Sequence, residues 1–439
     1  MPKETDVSRE RELREKIAAG SESARDYLAL TAFLYQARRF EECLHHLREA
    51  SLRPLAPIDK ANVLIALGWY LIELSHDVTE PLALGRQAAS LANGLASSDA
   101  LVAQAEAEAL IASCYSLDGS PQAVEAAESA LTLLRRVLDE YPNPGDKILY
   151  DVHLQSARLN CLLNRTDDAI EHCEQAQKLA SGRMDTIACL TELGTIYRDR
   201  GRLQDAREIL FRATMIPGAS ANDLVRPYFE LGLTEQALGE LPEARAKLRR
   251  AVSILQEDPA LPQGHLPHLL RAIGDVSFSL QDLESAAEAF RAASQSYPAG
   301  SLSYFDCVLW LAYCRREMKQ FDEASRSAEL IVEDSAAPEE KRNDARWLLR
   351  QIHVDVANAW YDAGRCQECI AMCETLLPQF DENDEAYAHL LLLLGHSHSN
   401  LGNKATARRY YTALAASPTA TLEDHEMAEQ GITMLGDLP

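Results

Sequence analysis

The sequence predicts an all-α fold, an α-α superhelix of about 20 antiparallel helices followed by a C-terminal capping helix. Three observations carry this prediction. Apolar residues recur at helical spacing in short amphipathic segments, and small residues recur at a fixed distance from one another. Hydrophobic residues make up 47% of the chain and aromatic residues only 6%, which suits helices packed through Ala and Leu. A repeat array can extend through 439 residues because each unit contacts only its neighbours.

The repeated unit is clearest between Met184 and Gly218. Its first helix places one apolar stripe at the spacing i, i+3, i+4, i+7, formed by Leu190, Leu193, Gly194 and Tyr197. A Gly inside a helix costs about 1 kcal/mol relative to Ala, so Gly194 indicates close approach of a second helix. Gly201 ends the first helix. The second helix carries Ala206, Leu210 and Ala213 on one face and stops at Pro217-Gly218.

This stretch resembles a tetratricopeptide repeat, whose signature is W-x2-L-G-x2-Y…A-x3-F…P, with Leu in place of the usual Trp and Phe. Pairs of small residues 12 positions apart recur at 194/206, 232/244, 274/286, 312/324 and 395/407. With weaker copies between them, about ten units cover roughly residues 24 to 419. The resemblance is strongest over 184–330 and 387–418. The step between units is longer than the 34 residues typical of the family.

Breaker clusters and repeat quality suggest a division of the chain. We expect a polar N-terminal cap or arm over 1–22, degenerate repeats one to three over 23–141, repeats four to eight over 147–335, repeats nine and ten over 340–419, and a capping helix over 420–439. The Pro/Gly cluster at 142–145 is either a hinge between two blocks or a long loop between repeats.

Composition and motifs exclude several classes of function. The formal net charge of −24 argues against nucleic acid as a direct ligand, because phosphate binding needs clustered Lys and Arg. No apolar stretch is long enough for a transmembrane helix, and no secretory signal is visible, so we expect a cytoplasmic protein. Catalytic and nucleotide-binding motifs are absent from the sequence. A non-enzymatic protein without a cofactor is therefore predicted.

The ten cysteines are expected to be reduced thiols, mostly at positions where the repeat requires a small packing residue. Cys366, Cys369 and Cys373 contain a C-x2-C pair, which leaves metal or redox chemistry as the alternative to packing. A zinc site would need a fourth ligand and usually a second C-x2-C. His396 and His398 point to different sides of a helix, so no metal is predicted there.

In tetratricopeptide proteins the first helices line the concave surface, so the resemblance implies a binding groove on one stripe of these helices. The predicted groove residues are Arg158, Thr195, Arg198, Arg226, Phe229, Arg271, Tyr313, Arg316, Asn358 and Tyr361. Five arginines in an acidic chain suit an extended peptide with some negative charge. The alternative is that these arginines pair with acidic neighbours such as Asp275 and Asp306.

One subset of the family holds the C-terminal carboxylate of heat-shock chaperones through a Lys on one first helix and an Asn one turn later. The equivalent positions here carry Thr191 with Thr195, Phe229 with Leu233, and Arg271 with Asp275. Because this pattern is absent, the resemblance does not imply that partner.

The leading hypothesis is a scaffold or adaptor that binds a peptide or helix of a protein partner in the concave groove. A second hypothesis is a regulatory protein in which a bound peptide changes the pitch of the superhelix. A third is a structural subunit of a larger assembly, with exposed apolar residues such as Trp69 or Trp347 in a permanent interface. The sequence leaves the oligomeric state open.

Overall fold

The computed structural model describes residues 4–19, 23–36, 39–74, 78–95, 97–141, 145–258, 261, 263–297 and 299–436. Within these ranges the backbone forms 22 α-helices and one short 3-10 helix, and none of the described residues lies in a strand. The predicted all-α architecture of paired helices is confirmed.

The helices follow one another through short connections. Their bounds are α1 Glu4–Ala18, α2 Ala24–Gln36, α3 Phe40–Leu52, α4 Pro57–Leu74, α5 Thr79–Ala92, α6 Ser98–Leu117, α7 Gln122–Glu140, α8 Asp146–Leu162, α9 Thr166–Leu179, α10 Arg183–Asp199, α11 Leu203–Thr214, α12 Ala221–Ala237, α13 Leu241–Glu257, α14 Leu266–Ser279, α15 Leu283–Ser296, α16 Leu302–Glu317, α17 Phe321–Glu333, α18 Glu339–Asp362, α19 Cys366–Leu376, α20 Glu385–Asn400, α21 Lys404–Ala415 and α22 Leu422–Leu435. The 3-10 helix covers Leu377–Gln379, directly after α19.

Two compact units divide the chain, one from Met1 to Gln281 and one from Asp282 to Pro439. We call them unit 1 and unit 2. The boundary lies in the turn between α14 and α15, which are the two helices of repeat seven. The Pro/Gly cluster proposed as a hinge lies mostly outside the described residues, since only Gly145 of its four positions is described.

Each unit is built from helix pairs in which consecutive helices pack together, such as α8 with α9 and α16 with α17. The first helices of successive pairs also contact each other, as α8 contacts α10 and α10 contacts α12 in unit 1. In unit 2 the same holds for α16 with α18 and for α18 with α20. The first helices therefore form one continuous layer within each unit, which is the face where the groove was predicted.

Small residues set the distance between the two helices of a pair. A Cβ placed on Gly232 would lie 2.7 Å from Cγ of Leu248, and a Cβ on Gly194 would clash with Leu210. Leu210 and Leu248 are fully buried. The close approach predicted at Gly194 is thus present, and it explains why a residue that weakens an isolated helix stands in the middle of α10.

The ends of the array are covered by single helices. At the start, α1 packs on α2 and buries Leu13 and Ile17. At the end, α22 packs on α21 and buries Ala428 and Leu435. Among the described residues, no helix has both the length and the apolar character that crossing a membrane requires.

Candidate binding face

All ten predicted groove residues lie on first helices. Unit 1 holds those from Arg158 to Arg271, on α8, α10, α12 and α14, and unit 2 holds those from Tyr313 to Tyr361, on α16 and α18. The structure therefore places them on the same layer of helices within each unit. Whether they bind a partner stays a prediction.

In unit 1 a buried carboxylate connects three successive repeats. Glu192 of α10 is 5% exposed. Its Oε1 accepts hydrogen bonds from Nε of Arg158 and Nη1 of Arg226, both at 2.6 Å, and its Oε2 accepts one from Nη2 of Arg226 at 3.0 Å. Burial on its own would raise the pKa of Glu192, but the two guanidinium groups lower it to about 2. Glu192 is therefore ionised and bound between two cations.

A second pair of this kind joins α10 to α12. Arg198 donates to Glu230 of the next first helix and also to Asp199 Oδ1, at 3.0 Å from Nη2. The neighbouring groove residue Thr195 donates its hydroxyl to the Thr191 carbonyl at 2.9 Å. This hydrogen bond holds the Thr195 side chain against the backbone of its own helix.

Unit 2 repeats the arrangement with other residues. Nε of Arg316 on α16 donates to Oδ2 of Asp355 on α18 at 2.5 Å. Asn358 Oδ1 lies 2.7 Å from Nε2 of His389 on α20, within hydrogen-bonding distance. Tyr361 stacks on the ring of His396, also on α20, with ring centroids 5.8 Å apart.

Arg158, Arg198, Arg226 and Arg316 thus bond to carboxylates of neighbouring helices. The carboxylates are Glu192, Glu230 and Asp355, which sequence analysis did not select. Each of them stands two residues before the small packing residue of its helix, namely Gly194, Gly232 and Ala357. An acidic residue two positions before the small packing residue therefore recurs in three first helices, and this pattern can be read from the sequence alone.

Aromatic groove residues also face other rings. Phe229 lies beside His265 with ring centroids 6.5 Å apart. Tyr313 lies beside Trp310 at 5.6 Å, and burial raises the pKa of its phenol. These rings give the first-helix layer apolar surface between the charged pairs.

This face has a concavity in unit 1. Two adjoining cavities of about 210 and 250 Å³ share Tyr35, Met184, Asn222 and Asp223. Together they form what we call the Tyr35 pocket. The larger part of its wall is apolar, and Arg226 and Thr191 are among the polar residues that line it.

Tyr35 belongs to α2, the first helix of repeat one. The other wall residues belong to α10 of repeat five, to α12 of repeat six and the turn before it, and to the start of α14 in repeat seven. Its hydroxyl accepts a hydrogen bond of 3.1 Å from Nδ2 of Asn222, a residue 187 positions away. The ring also packs edge-on against Tyr70, with centroids 5.3 Å apart. No spacing in the sequence pointed to Tyr35, because only the curvature of unit 1 brings repeat one to α12.

The cysteine-rich helix α19 packs against α20. Cys366, Cys369 and Cys373 are buried, and Sγ of Cys369 lies 3.9 Å from Sγ of Cys373 and accepts a hydrogen bond from Ser397. In the part of the chain that the structure describes, no three His, Cys, Asp or Glu side chains are grouped to hold a metal ion. The three cysteines therefore lie in the packed region between α19 and α20.

No protein-family model matches the sequence, and no curated protein matches it. Solved structures do match. The apo form of RapI is 12% identical, with a TM-score of 0.47 over 84% of this chain and 99% of that chain. A Rap protein complexed with competence and sporulation factor is 13% identical, with a TM-score of 0.44 over 85% and 99%. A tetratricopeptide repeat protein from Parabacteroides merdae is 18% identical, with a TM-score of 0.35 over 65% and 99%.

The helix pairs, the glycines at which they approach each other and the layer of first helices agree with the motif read from the sequence. This chain has the fold of a tetratricopeptide-repeat array.

Proposed function

We propose that the chain is a non-enzymatic interaction scaffold that binds an extended segment of a partner protein on the first-helix layer of unit 1. The observation that carries the proposal is the Tyr35 pocket, which is lined by Arg226 and lies beside the cluster that Arg158 and Arg226 form around the buried Glu192. A pocket for one side chain next to a charged group is the usual form of an anchor site for a peptide.

The pocket suits an apolar anchor. Met184, Ile187, Ala188, Val225 and Pro227 supply apolar wall. A volume of about 210 Å³ accommodates one large aliphatic or aromatic side chain. Burying such a side chain contributes about 1.5–3 kcal/mol, which is enough to fix the register of a short segment.

The charges beside the pocket favour a segment with a carboxylate. Two guanidinium groups share the single carboxylate of Glu192, so this cluster keeps one excess positive charge. Both Arg158 and Arg226 retain 36% of their side-chain exposure, and a ligand carboxylate can reach them without displacing Glu192. The preferred segment therefore carries an acidic residue near its apolar anchor.

Selection from a random peptide library tests this proposal. Peptides of about 16 residues displayed on phage are panned against the full chain, and the affinity of each winner is measured by fluorescence polarisation. The test variant Ala188→Trp fills the pocket. The control variant Val124→Trp places the same ring on α7, where the side chain is 52% exposed.

We expect the selected peptides to contain an apolar residue and an acidic residue. Compared with the wild type, Ala188→Trp should bind them at least tenfold more weakly and Val124→Trp should bind them equally well. Arg158→Gln should weaken the same peptides further. Winners that bind both Trp variants alike would place the binding site elsewhere and overturn the proposal.

The Tyr35–Asn222 hydrogen bond favours a second candidate function, a peptide-sensing regulator. A side chain that enters the pocket contacts Tyr35 of repeat one and α12 of repeat six together, so binding and the curvature of unit 1 are coupled. The third hypothesis, a structural subunit, has weaker support from its two tryptophans. Trp347 is 43% exposed, but Trp69 packs against the core.

A further inference from the structure

A second concavity lies in unit 2, away from the predicted groove residues. It has a volume of about 660 Å³ and runs between α18 and the end of α19. Leu349, Met372 and Leu376 line its apolar side, and Arg346 and Arg350 line its charged side. We call it the α18 groove. Its volume lies within the range of roughly 300–1,000 Å³ typical of sites for small molecules.

Positive charge accumulates along the α18 groove. Arg342, Arg346 and Arg350 follow each other at intervals of four residues and therefore share one face of α18. Glu339 pairs with two of them: Arg342 Nη2 donates to its Oε2 at 2.7 Å and Arg346 Nη1 donates to its Oε1 at 2.8 Å. These hydrogen bonds from Arg346 and Arg342 lower the pKa of Glu339. The single negative charge of Glu339 is thus shared by the guanidinium groups of Arg342 and Arg346.

Arg350 is held by uncharged groups. Its Nη1 donates to the Gln379 carbonyl at 2.9 Å, and its guanidinium carbon lies 5.4 Å from the centre of the Phe380 ring. Among the described residues, its Nε is buried without a hydrogen-bond partner and no carboxylate forms an ion pair with it. A guanidinium that is held in place without a carboxylate partner, in a chain of net charge −24, has Nη donors left to offer to an anion in the groove.

We propose that the α18 groove binds a small organic anion, a carboxylate attached to an apolar ring or chain. The carboxylate accepts hydrogen bonds from Arg346 and Arg350, and the apolar body lies against Leu349, Met372 and Leu376. The two sides of the groove act together. The arginines favour a negative charge, and the apolar wall favours an organic anion over an inorganic one, because only the organic anion has apolar surface to bury there. This site is independent of peptide binding in unit 1.

Matched pairs of acids and amides provide the test. Naphthalene-2-carboxylate and 4-phenylbutyrate are titrated into the full chain by calorimetry, each beside its primary amide, which has nearly the same shape but no charge. Thr375→Trp blocks the groove from an exposed position and leaves the core intact. Arg350→Gln removes the charge that has no carboxylate partner.

Two control variants carry the same chemical changes in unit 1. Val124→Trp adds an exposed Trp to α7, and Arg48→Gln removes an exposed Arg that pairs with Glu80. Circular dichroism checks the helix content of all four variants.

We expect each acid to bind at least tenfold more tightly than its amide. Thr375→Trp should abolish binding of the acid, Arg350→Gln should weaken the acid at least fivefold and leave the amide unchanged, and both controls should bind like the wild type. The proposal is overturned if no acid of the set binds at millimolar concentration, if acid and amide bind alike, or if Thr375→Trp retains the acid. If Arg350→Gln loses helix content, the proposal is judged by binding to Thr375→Trp and by the ratio of acid affinity to amide affinity in the wild type.

Discussion

At the scale of single residues, Glu192 links three first helices of unit 1. It joins α8, α10 and α12 through Arg158 and Arg226, so three successive repeats depend on one carboxylate. Replacing one member of a buried ion pair is costly because the remaining charges lose their partner while staying away from water.

We predict that Glu192→Gln destabilises α10 by about 2 kcal/mol. This is less than the 3–5 kcal/mol of a fully buried pair because the arginine side chains are still 36% exposed. Amide hydrogen exchange resolves the loss, since it reports the free energy of local opening. The matched control is Glu368→Gln, which removes an exposed carboxylate that accepts from Arg365 at 3.1 Å and should cause no measurable change.

The same prediction has a pH dependence. The folded protein lowers the pKa of Glu192 from 4.5 to about 2, so its stabilisation is fully present above pH 4.5 and disappears as the pH falls towards 2. The difference between wild type and Glu192→Gln should therefore shrink below pH 4.5. A difference that stays constant over this range would show that the side chain acts through shape rather than charge.

At the scale of helices, the last pair shows how the array ends. Tyr411 of α21 is 2% exposed and lies between two glycines. A Cβ on Gly395 of α20 would come within 2.6 Å of its Cε1, and a Cβ on Gly431 of α22 within 2.6 Å of its Cε2. The ring cannot move away from one glycine without approaching the other, so α22 packs at the distance that this ring permits.

We predict that Gly431→Ala destabilises α22 by about 1–2 kcal/mol. The clash of an added methyl group in a packed core costs about 1–3 kcal/mol, and the better helix propensity of Ala returns up to about 1 kcal/mol of it. Hydrogen exchange in α22 measures the effect. In a Tyr411→Leu background the same substitution should cost nothing, because the smaller side chain leaves room for the methyl group. An equal cost in both backgrounds would contradict the packing explanation.

The helices were predictable because their signals are local. Gly194 and Leu210 are close in sequence, and each repeat encodes its own turn and its own packing face. The charged partners were only partly predictable: Arg198 was found on its stripe, whereas Glu230, one repeat later, was missed because pairing between repeats depends on their relative rotation. Tyr35 carries no sequence signal, since its contact with Asn222 spans 187 positions and depends on the sum of many small rotations.

At the scale of the whole molecule, two effects change the stability of the fold in opposite directions as the pH is lowered. Loss of net negative charge stabilises the folded chain, and protonation of buried histidines destabilises it. The net charge of −24 makes the folded chain repel itself, and this repulsion weakens as the pH falls and positive charge is added. Among the histidines that the structure describes, seven have their pKa lowered mainly by burial, which disfavours the charged ring. They are His46, His153, His172, His353, His389, His396 and His398.

We predict that the urea midpoint of unfolding falls as the pH is lowered from 7.5 to 5.5 in 0.5 M NaCl. The unfolded chain takes up protons at the ordinary histidine pKa of 6.5, whereas the folded chain takes them up only at lower pH. Stability is therefore lost as the pH falls below 6.5. The salt shortens the screening length to roughly 4 Å and suppresses the opposing effect of net charge. Glu106 also opposes the histidines, because burial raises its pKa from 4.5 to about 7 in the folded chain. The midpoint is therefore measured in a Glu106→Gln background.

Proton NMR of the histidine rings in the folded protein provides the control, because it measures directly whether these rings titrate below pH 6.5. At 20 mM NaCl the decrease should be smaller, since relief of self-repulsion then offsets part of it. In the Glu106→Gln background, a midpoint that is constant or rises with decreasing pH at high salt would mean that the buried histidines take up protons as readily in the folded chain as in the unfolded one. The contacts around them, such as the 2.7 Å pair of His396 Nδ1 and the Tyr411 hydroxyl, would then have to tolerate a charged ring.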